Sequence, residues 1–325
     1  MFSAFDDFKR VSPSKAGVEF DAIPLPGDRG DYLAKSQNGS PVFLLADAKT
    51  GQYHPSLQLR YLSADFQLTC RLSTEGGEME GVFALVSCSS DEPELHELFI
   101  RCFDAVRDQL GTKADTEDIK KTVQNLAALF RAFSLPSQRS ITGLWAELFT
   151  VVRSSSIVNA MRIWRVGAFD RFDFSDSSLA IEVKATTGQF RSHEFSLEQL
   201  SSPVGRAGYV VSMLMQPITG GTSVLDLVST IETQIATEPR LRQKLWENVI
   251  NDLGSDFGTS LDRRFDVSYA QRNCMIFRFQ DIPQPRPISD PRVAKVRFVA
   301  DCSSAISSVT DSTFGGLQGL FSGVA

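Results

Sequence analysis

Residues 171–186 read "RFDFSDSSLAIEVKAT". Two strand-like runs flank a short polar turn. The first run carries Asp173; the second carries Glu182 and, two places on, Lys184. Side chains alternate faces along a strand. Phe172 and Phe174 are therefore predicted to face one way and Asp173 the other. Leu179, Ile181 and Val183 share one face, Glu182 and Lys184 the opposite one. With Ser177-Ser178 as a two-residue turn, Asp173 falls directly across from Glu182. Opposed residues of a hairpin lie about 4.5–5.5 Å apart at their Cβ atoms. Carboxylates that close repel each other, and buried charges are costly unless paired or metal-bound. A divalent cation removes the repulsion, and magnesium prefers oxygen ligands. Asp176 falls at the turn and reads as a turn former. Asp170 has the parity of the phenylalanines and is a rival only if a bulge shifts the register.

The segment before the hairpin, "RSITGLWAELFTVVRSS", is predicted as a helix with Ile141, Leu144, Trp145, Leu148, Val151 and Val152 in one apolar stripe. At about 100° per residue, Glu147 falls at the stripe's edge, where it can reach over the surface on which the helix packs. The plainer reading of Glu147 is a helix-edge acid bonded to a nearby arginine. The plainer reading of Glu-x-Lys is a solvated strand face.

After the hairpin comes "FRSHEFSLEQL". Ser196 and Gln199 fit the S-x-x-Q capping box. A helix N-terminus favours a phosphate, and Arg191 and His193 lie on the approach to it. Gln199 can either cap that turn or touch the site; its position in the sequence does not choose. "AGYVVSMLM" reads as a strand buried on both faces. Helices follow near 224–236 and 238–252, where Arg240, Arg242 and Lys244 are expected on a solvated face. "QRNCMIFRF" and "VAKVRFVA" read as late strands, and the Ser-, Gly- and Thr-rich tail from Ser303 is expected to fray. Trp145 and Trp164 are expected in the core.

Upstream the chain has a different character. "PVFLLA", "SLQLRYL", "FQLTCRL" and "GVFALVSC" are short strand-like runs separated by turn signals such as "QNGS" and "TEGGE". From Pro93 the spacing becomes helical, with Gly111 as a C-cap and Thr116 as the next N-cap. The division expected is a β-rich domain over 1–110 and a second domain over 111–325. The class is α/β (α+β).

The whole chain has 325 residues and a net charge of −6. Residues 1–135 hold 14 basic and 20 acidic side chains, whereas 136–215 hold 8 and 7. The middle segment becomes locally positive once its acids are offset by metal, which suits a phosphate-backbone ligand. Five cysteines are scattered without a CxxC pair, so neither a zinc ribbon nor a disulfide framework is indicated. No apolar run is long enough for a membrane span, and the first residues lack a secretory signal pattern. The expectation is a cytoplasmic protein with reduced thiols. No G-x-x-x-x-G-K-[ST] loop is present, so an ATP-driven step needs another protein.

A glutamate on a helix, an aspartate on a strand and Glu-x-Lys on the next strand resemble the core of the PD-(D/E)XK nuclease superfamily. "GLWAEL", Trp164, "FDF", "IEVKAT" and "RSHEFSLEQL" are similar to the poorly characterised members encoded in bacterial defence and restriction gene clusters. Asp173 follows Phe172 rather than proline. The resemblance implies a restriction-endonuclease-like mixed sheet flanked by helices, and a Mg²⁺-dependent DNA endonuclease in which Mn²⁺ can substitute. It assigns Asp173, Glu182, Glu147 and the carbonyl of Val183 to the metal. Lys184 acts on the attacking water or on developing charge, and Arg191, His193, Ser196 and Gln199 meet the substrate. The product implied is a 5′-phosphate and a 3′-hydroxyl. A helicase-like ATPase and a DNA methyltransferase are the implied partners, and dimerisation would help to cut both strands. The rival readings are a nuclease acting on RNA or single strands, and a non-catalytic DNA-binding or assembly module on the same fold.

Overall fold

Five strands of alternating apolar residues can close into a ring only if at least one neighbouring pair runs parallel, because strict antiparallel alternation needs an even number. The N-terminal part of the chain meets this condition in the computed structural model, which describes residues 4–15, 17–47, 54–137, 139–167, 170–201, 205–286, 292–293, 296–309 and 316–321. After helix α1 (Ala4–Arg10) come β1 (Glu19–Pro24), β2 (Tyr32–Lys35), β3 (Pro41–Ala46), β4 (Leu57–Gln58), β5 (Leu62–Thr74) and β6 (Gly77–Cys88). Their order is β1-β2-β3-β6-β5-β4, and β1 also pairs with β5. That closing seam, Glu19–Asp21 against Arg71–Ser73, is parallel; the other pairs are antiparallel. The strand-rich character is legible in the sequence, the closure is not. In β5 a bulge sets Phe66 and Gln67 against one residue of β6, and Gln67 takes φ 56°.

Strand β3 is buried on both faces. Val42 and Leu44 point into the barrel with Phe20, Cys70, Leu72 and Phe83. Phe43, of opposite parity, packs outside on Phe99 and Phe103, with ring centroids 5.7 and 4.4 Å away. Those rings come from α2 (Pro93–Arg107); α3 (Thr116–Phe130) adds Phe130, 5.8 Å from Phe99. Helix α3 packs on β5 and β6, so the first compact unit runs through Leu135 and the second begins at Pro136. The change from strand to helix pattern at Pro93, and the boundary expected at residue 110, are thus internal to the first unit. Asp115, not Thr116, caps α3, in a reciprocal box with Asp118. Helix α2 ends at Arg107, ahead of Gly111.

The second unit begins with α4 (Ile141–Val152) and α5 (Ile157–Ile163). Then come β7 (Phe174–Ser175), β8 (Leu179–Thr186), β9 (Ser192–Ser196), β10 (Ala207–Leu214), β11 (Pro217–Ser223), α6 (Val224–Gln234), α7 (Pro239–Leu253) and α8 (Phe257–Leu261). Last are β12 (Arg264–Phe265), α9 (Val267–Arg272), β13 (Cys274–Arg278) and β14 (Arg297–Asp301). A four-stranded mixed sheet has the order β13-β10-β8-β7. Strands β8 and β10 are parallel, and the two outer pairs are antiparallel. Helix α4 packs on β8 and on α6 and α7, so it is buried without a break from Leu144 to Val151. The amphipathic stripe expected for it is replaced by burial all round. The sheet's other face carries Ala180 and Val210, which pack with Phe195 of β9 and Ala300 of β14, an antiparallel pair. Helices α6 and α7 and strands β10, β13 and β14 fall in segments whose periodicity predicts them, whereas α5, β9, β11, α8, β12 and α9 are not expected from the sequence pattern. Parts of the tail from Ser303, expected to fray, lie outside the described residues. No helix among the described residues is long and apolar enough to cross a membrane.

Candidate active site

The hairpin register is the one the turn dictates. Phe174 pairs with Ile181 and Ser175 with Ala180, and continuing that register sets Asp173 opposite Glu182. Asp176 makes the turn: its Oδ1 accepts from the backbone N–H groups of Ser178 and Leu179, each at 2.7 Å. Asp170 stays outside the pair, accepting from the N–H groups of Val166 and Gly167. The alternation expected before Phe174 does not hold. The ladder stops at Phe174, the chain bends over 171–173, and Phe172 joins the cluster on the face of Ala180, stacked on Phe279.

That bend sets the Asp173 carboxylate. Val183 lies beyond the last pair of the ladder, and its N–H donates to Asp173 Oδ2 at 2.7 Å. Backbone and side chain thus lock Asp173 next to Glu182. Both are buried, at 2% and 3% exposure. Glu182 Oε1 accepts from Lys184 Nζ at 2.8 Å and from Gln199 Nε2 at 2.5 Å. Its other oxygen, Oε2, is buried with no hydrogen-bond partner among the described residues. Burial, and then the charge of Asp173, push the Glu182 carboxyl up to about 8, against the pull of Lys184. A buried carboxylate oxygen without a donor is resolved by a proton or by a cation. The hard oxygen donors of Asp173 and Glu182 fit a magnesium ion that keeps water or substrate for its remaining positions.

Glu147 is close by but committed elsewhere. Its Oε1 accepts from Arg139 at 2.9 Å, and its Oε2 accepts from the Trp164 indole at 2.7 Å and from Arg165 Nε at 2.9 Å. The plainer reading, an acid bonded to arginine, describes it, except that it is buried rather than at a helix edge. Burial and Asp173 raise its carboxyl to about 7, against the lowering effect of Arg165 and Arg139. Among the described residues no group of three or more His, Cys, Asp or Glu side chains could hold a metal ion. The three-carboxylate cluster of Asp173, Glu182 and Glu147 expected from the sequence is therefore not found among the described residues.

Gln199 does both things open to it. Its Oε1 accepts from the Ser196 N–H at 2.9 Å, its own N–H donates to Ser196 Oγ at 3.3 Å, and its Nε2 reaches Glu182. A side-chain amide has separate donor and acceptor ends, so capping and site contact are compatible. The capped element, however, is a single 3-10 turn over Leu197–Leu200. It is too short to bind a phosphate through a helix dipole. Arg191 and His193 are buried. Arg191 donates to the carbonyls of Ser212 and Asn273, and His193 Nε2 lies 2.8 Å from Ser212 Oγ. Ser212 of β10 is thus a common partner of Arg191 and His193. Burial, with the nearby charges of Lys184 and Arg191, lowers the His193 imidazole to about 4.

Arg139, Arg165 and Asp252 carry no signal in the linear pattern. Arg139 NH1 bridges Asp173 Oδ1 at 2.6 Å and Glu147 at 2.9 Å. Fully buried Arg165 joins Glu147 to Asp252 of α7 and stacks over Trp164, while its own N–H donates to the Asp173 carbonyl at 2.8 Å. Trp164 is in the core as expected, and it also positions Glu147. Lys244, expected on a solvated face, donates to the carbonyls of Met161 and Arg162.

A family model described as "Putative PD-(D/E)XK family member, (DUF4420)" matches residues 16–303. No curated protein and no solved structure matches the chain.

Proposed function

The chain belongs to this PD-(D/E)XK family, and from that premise we propose that it is a divalent-cation-dependent nuclease hydrolysing phosphodiester bonds in DNA. The observation that supports this reading best is the pair of buried acids, Asp173 and Glu182, with an unpartnered Glu182 oxygen and Lys184 bonded to the same side chain. Asp173 and Glu182, with the Val183 carbonyl, would hold Mg²⁺ or Mn²⁺. When bound, the ion supplies positive charge against the negative charge that builds on a phosphoryl group under attack. Lys184 is the site's donor toward solvent: its side chain is 20% exposed, and an ammonium has three N–H groups. One is used on Glu182, so the others can meet a phosphate oxygen or hold the attacking water. Gln199 steers Glu182 through Nε2. Glu147 acts through Arg139, Trp164 and Arg165 as a positioning residue. Hydrolysis would leave a 5′-phosphate and a 3′-hydroxyl.

The setting that fits is restriction or anti-phage defence in the cytoplasm, with a helicase-like ATPase and a DNA methyltransferase as partners and homodimerisation for double-strand cuts. The test is cleavage of plasmid DNA, and of matched RNA and single strands, in Mg²⁺, with and without those partners. Wild type should nick or linearise the plasmid, while Asp173→Ala and Lys184→Ala lower the rate by two orders of magnitude or more. Equal activity of wild type and both variants would refute the assignment. The occupation of Asp173 by Arg139 favours a second reading, a non-catalytic DNA-binding module. DNA binding without cleavage, alone and with the partners, would establish that one.

A further inference from the structure

Arg139 stands two residues ahead of α4, and one nitrogen of its guanidinium contacts two acids at once, Asp173 at 2.6 Å and Glu147 at 2.9 Å. Its neighbour Arg165 is held differently. Arg165 is 0% exposed, contacts Glu147 and Asp252 through separate nitrogens and stacks on Trp164. The Arg139 side chain is 25% exposed. A single nitrogen shared by two carboxylates lacks the two-pronged geometry that makes arginine–carboxylate pairs strongest. Arg165 is therefore part of the scaffold, and of the two arginines Arg139 is the one better placed to leave.

The charge balance agrees. Glu147, Asp173, Glu182 and Asp252 are four acids joined by three cations, Arg139, Arg165 and Lys184. With all four acids ionised and Arg139 in place, the cluster is one charge short of neutral. With Arg139 withdrawn it is two short, the charge of one divalent ion. Like charges a few ångströms apart in a buried site repel strongly, so a full guanidinium contact at Asp173 and a divalent ion on the same carboxylate oppose each other.

We propose that Arg139 is a built-in counter-ion of the site, exchanged for the divalent cation: it neutralises Asp173 when no divalent ion is bound and withdraws from Asp173 when one binds. This rests on the reading of Asp173 and Glu182 as the cation site. It makes cation affinity a balance between two competitors, so Arg139 sets the concentration at which the site loads.

The test uses the full chain and Mn²⁺ alone, with binding followed by electron paramagnetic resonance. Arg139→Gln should bind Mn²⁺ at least about tenfold more tightly than wild type, and adding Asp173→Asn should abolish the gain. A second measurement needs no variant. In wild type labelled at arginine side-chain nitrogens, Mg²⁺ should move the Arg139 resonance and leave that of Arg165 in place. If wild type binds Mn²⁺ but Arg139→Gln binds equally or less well, the exchange is refuted while the cation site stands. An Arg139 resonance unmoved at saturating Mg²⁺ refutes it equally, even if the variant fails to fold. If neither protein binds Mn²⁺, the exchange and the cation site fall together.

Discussion

Replacing Arg165 by methionine should cost about 4 kcal/mol of stability near neutral pH. The side chain is wholly buried, and its two acid partners are 2% and 1% exposed. Breaking a buried ion pair by removing one partner typically costs about 3–5 kcal/mol, because a charge is left behind without compensation. The two acids would not suffer equally. Glu147 keeps Arg139 and the Trp164 indole as donors. Among the described residues Asp252 keeps no side-chain donor, since its Oδ1 already lacks one and Arg165 served its Oδ2. Most of the loss should therefore sit on Asp252. Methionine roughly preserves volume, which keeps a cavity out of the comparison. For a unit of this size, about 4 kcal/mol corresponds to a fall of about 8–16 °C in Tm. Calorimetry at pH 7.5 measures it. Adding Asp252→Asn to Arg165→Met should recover more than half of the loss. Adding Glu147→Gln instead should recover less. Lowering the pH to 5 should narrow the gap to wild type, because protonation neutralises the stranded acid. A single Arg165→Met variant within about 1 kcal/mol of wild type, or a rescue carried by Glu147→Gln alone, would refute the reasoning.

Four further outcomes are expected. The folded protein holds His193 near pKa 4 against 6.5 unfolded, so the neutral form favours folding. That contribution is complete above about pH 6.5 and is lost as the pH falls toward 4, by about 3 kcal/mol in all; the wild-type-minus-His193→Gln difference in urea stability should track that window, and a difference independent of pH would disprove it. Gln199→Ala should lower stability by about 1 kcal/mol through the lost cap and also slow cleavage; unchanged turnover would remove Gln199 from the site. Trp164→Phe takes one donor from Glu147 and should cost about 1–3 kcal/mol, read by chemical denaturation. Phe43→Ala, which empties the contact between the barrel and α2, should cost about 3–5 kcal/mol. Chemical denaturation measures it, and a loss under about 1 kcal/mol would disprove it.

How far the sequence reaches follows from the range of the forces involved. Strand alternation, the Ser177-Ser178 turn and the Asp176 side chain act over a few residues, and they were enough to set the register of Phe174 on Ile181 and Ser175 on Ala180; the bend over 171–173 that places Asp173 is not in that pattern. The Ser196–Gln199 box is local in the same way. So are the helical periods of α4, α6 and α7. The barrel needed more: its parallel seam joins Glu19–Asp21 to Arg71–Ser73, and no local pattern records that contact.

The charge network is the clearest case of what tertiary structure alone decided. Arg139, Glu147, Arg165, Asp173 and Asp252 come from the approach to α4, from α4 itself, from the loops around the hairpin and from the end of α7. Arg139, Arg165 and Asp252 look like ordinary surface charges in their own segments. Packing α4 and α7 together removes them from water, and burial is what forces such groups to find one another. That is why the register of one hairpin could be read from the chain, whereas the surroundings of Glu147 depended on arginines brought to it by the fold. Residues near in sequence constrain each other whatever the fold. Residues far apart do so only after the hydrophobic core has placed them in contact.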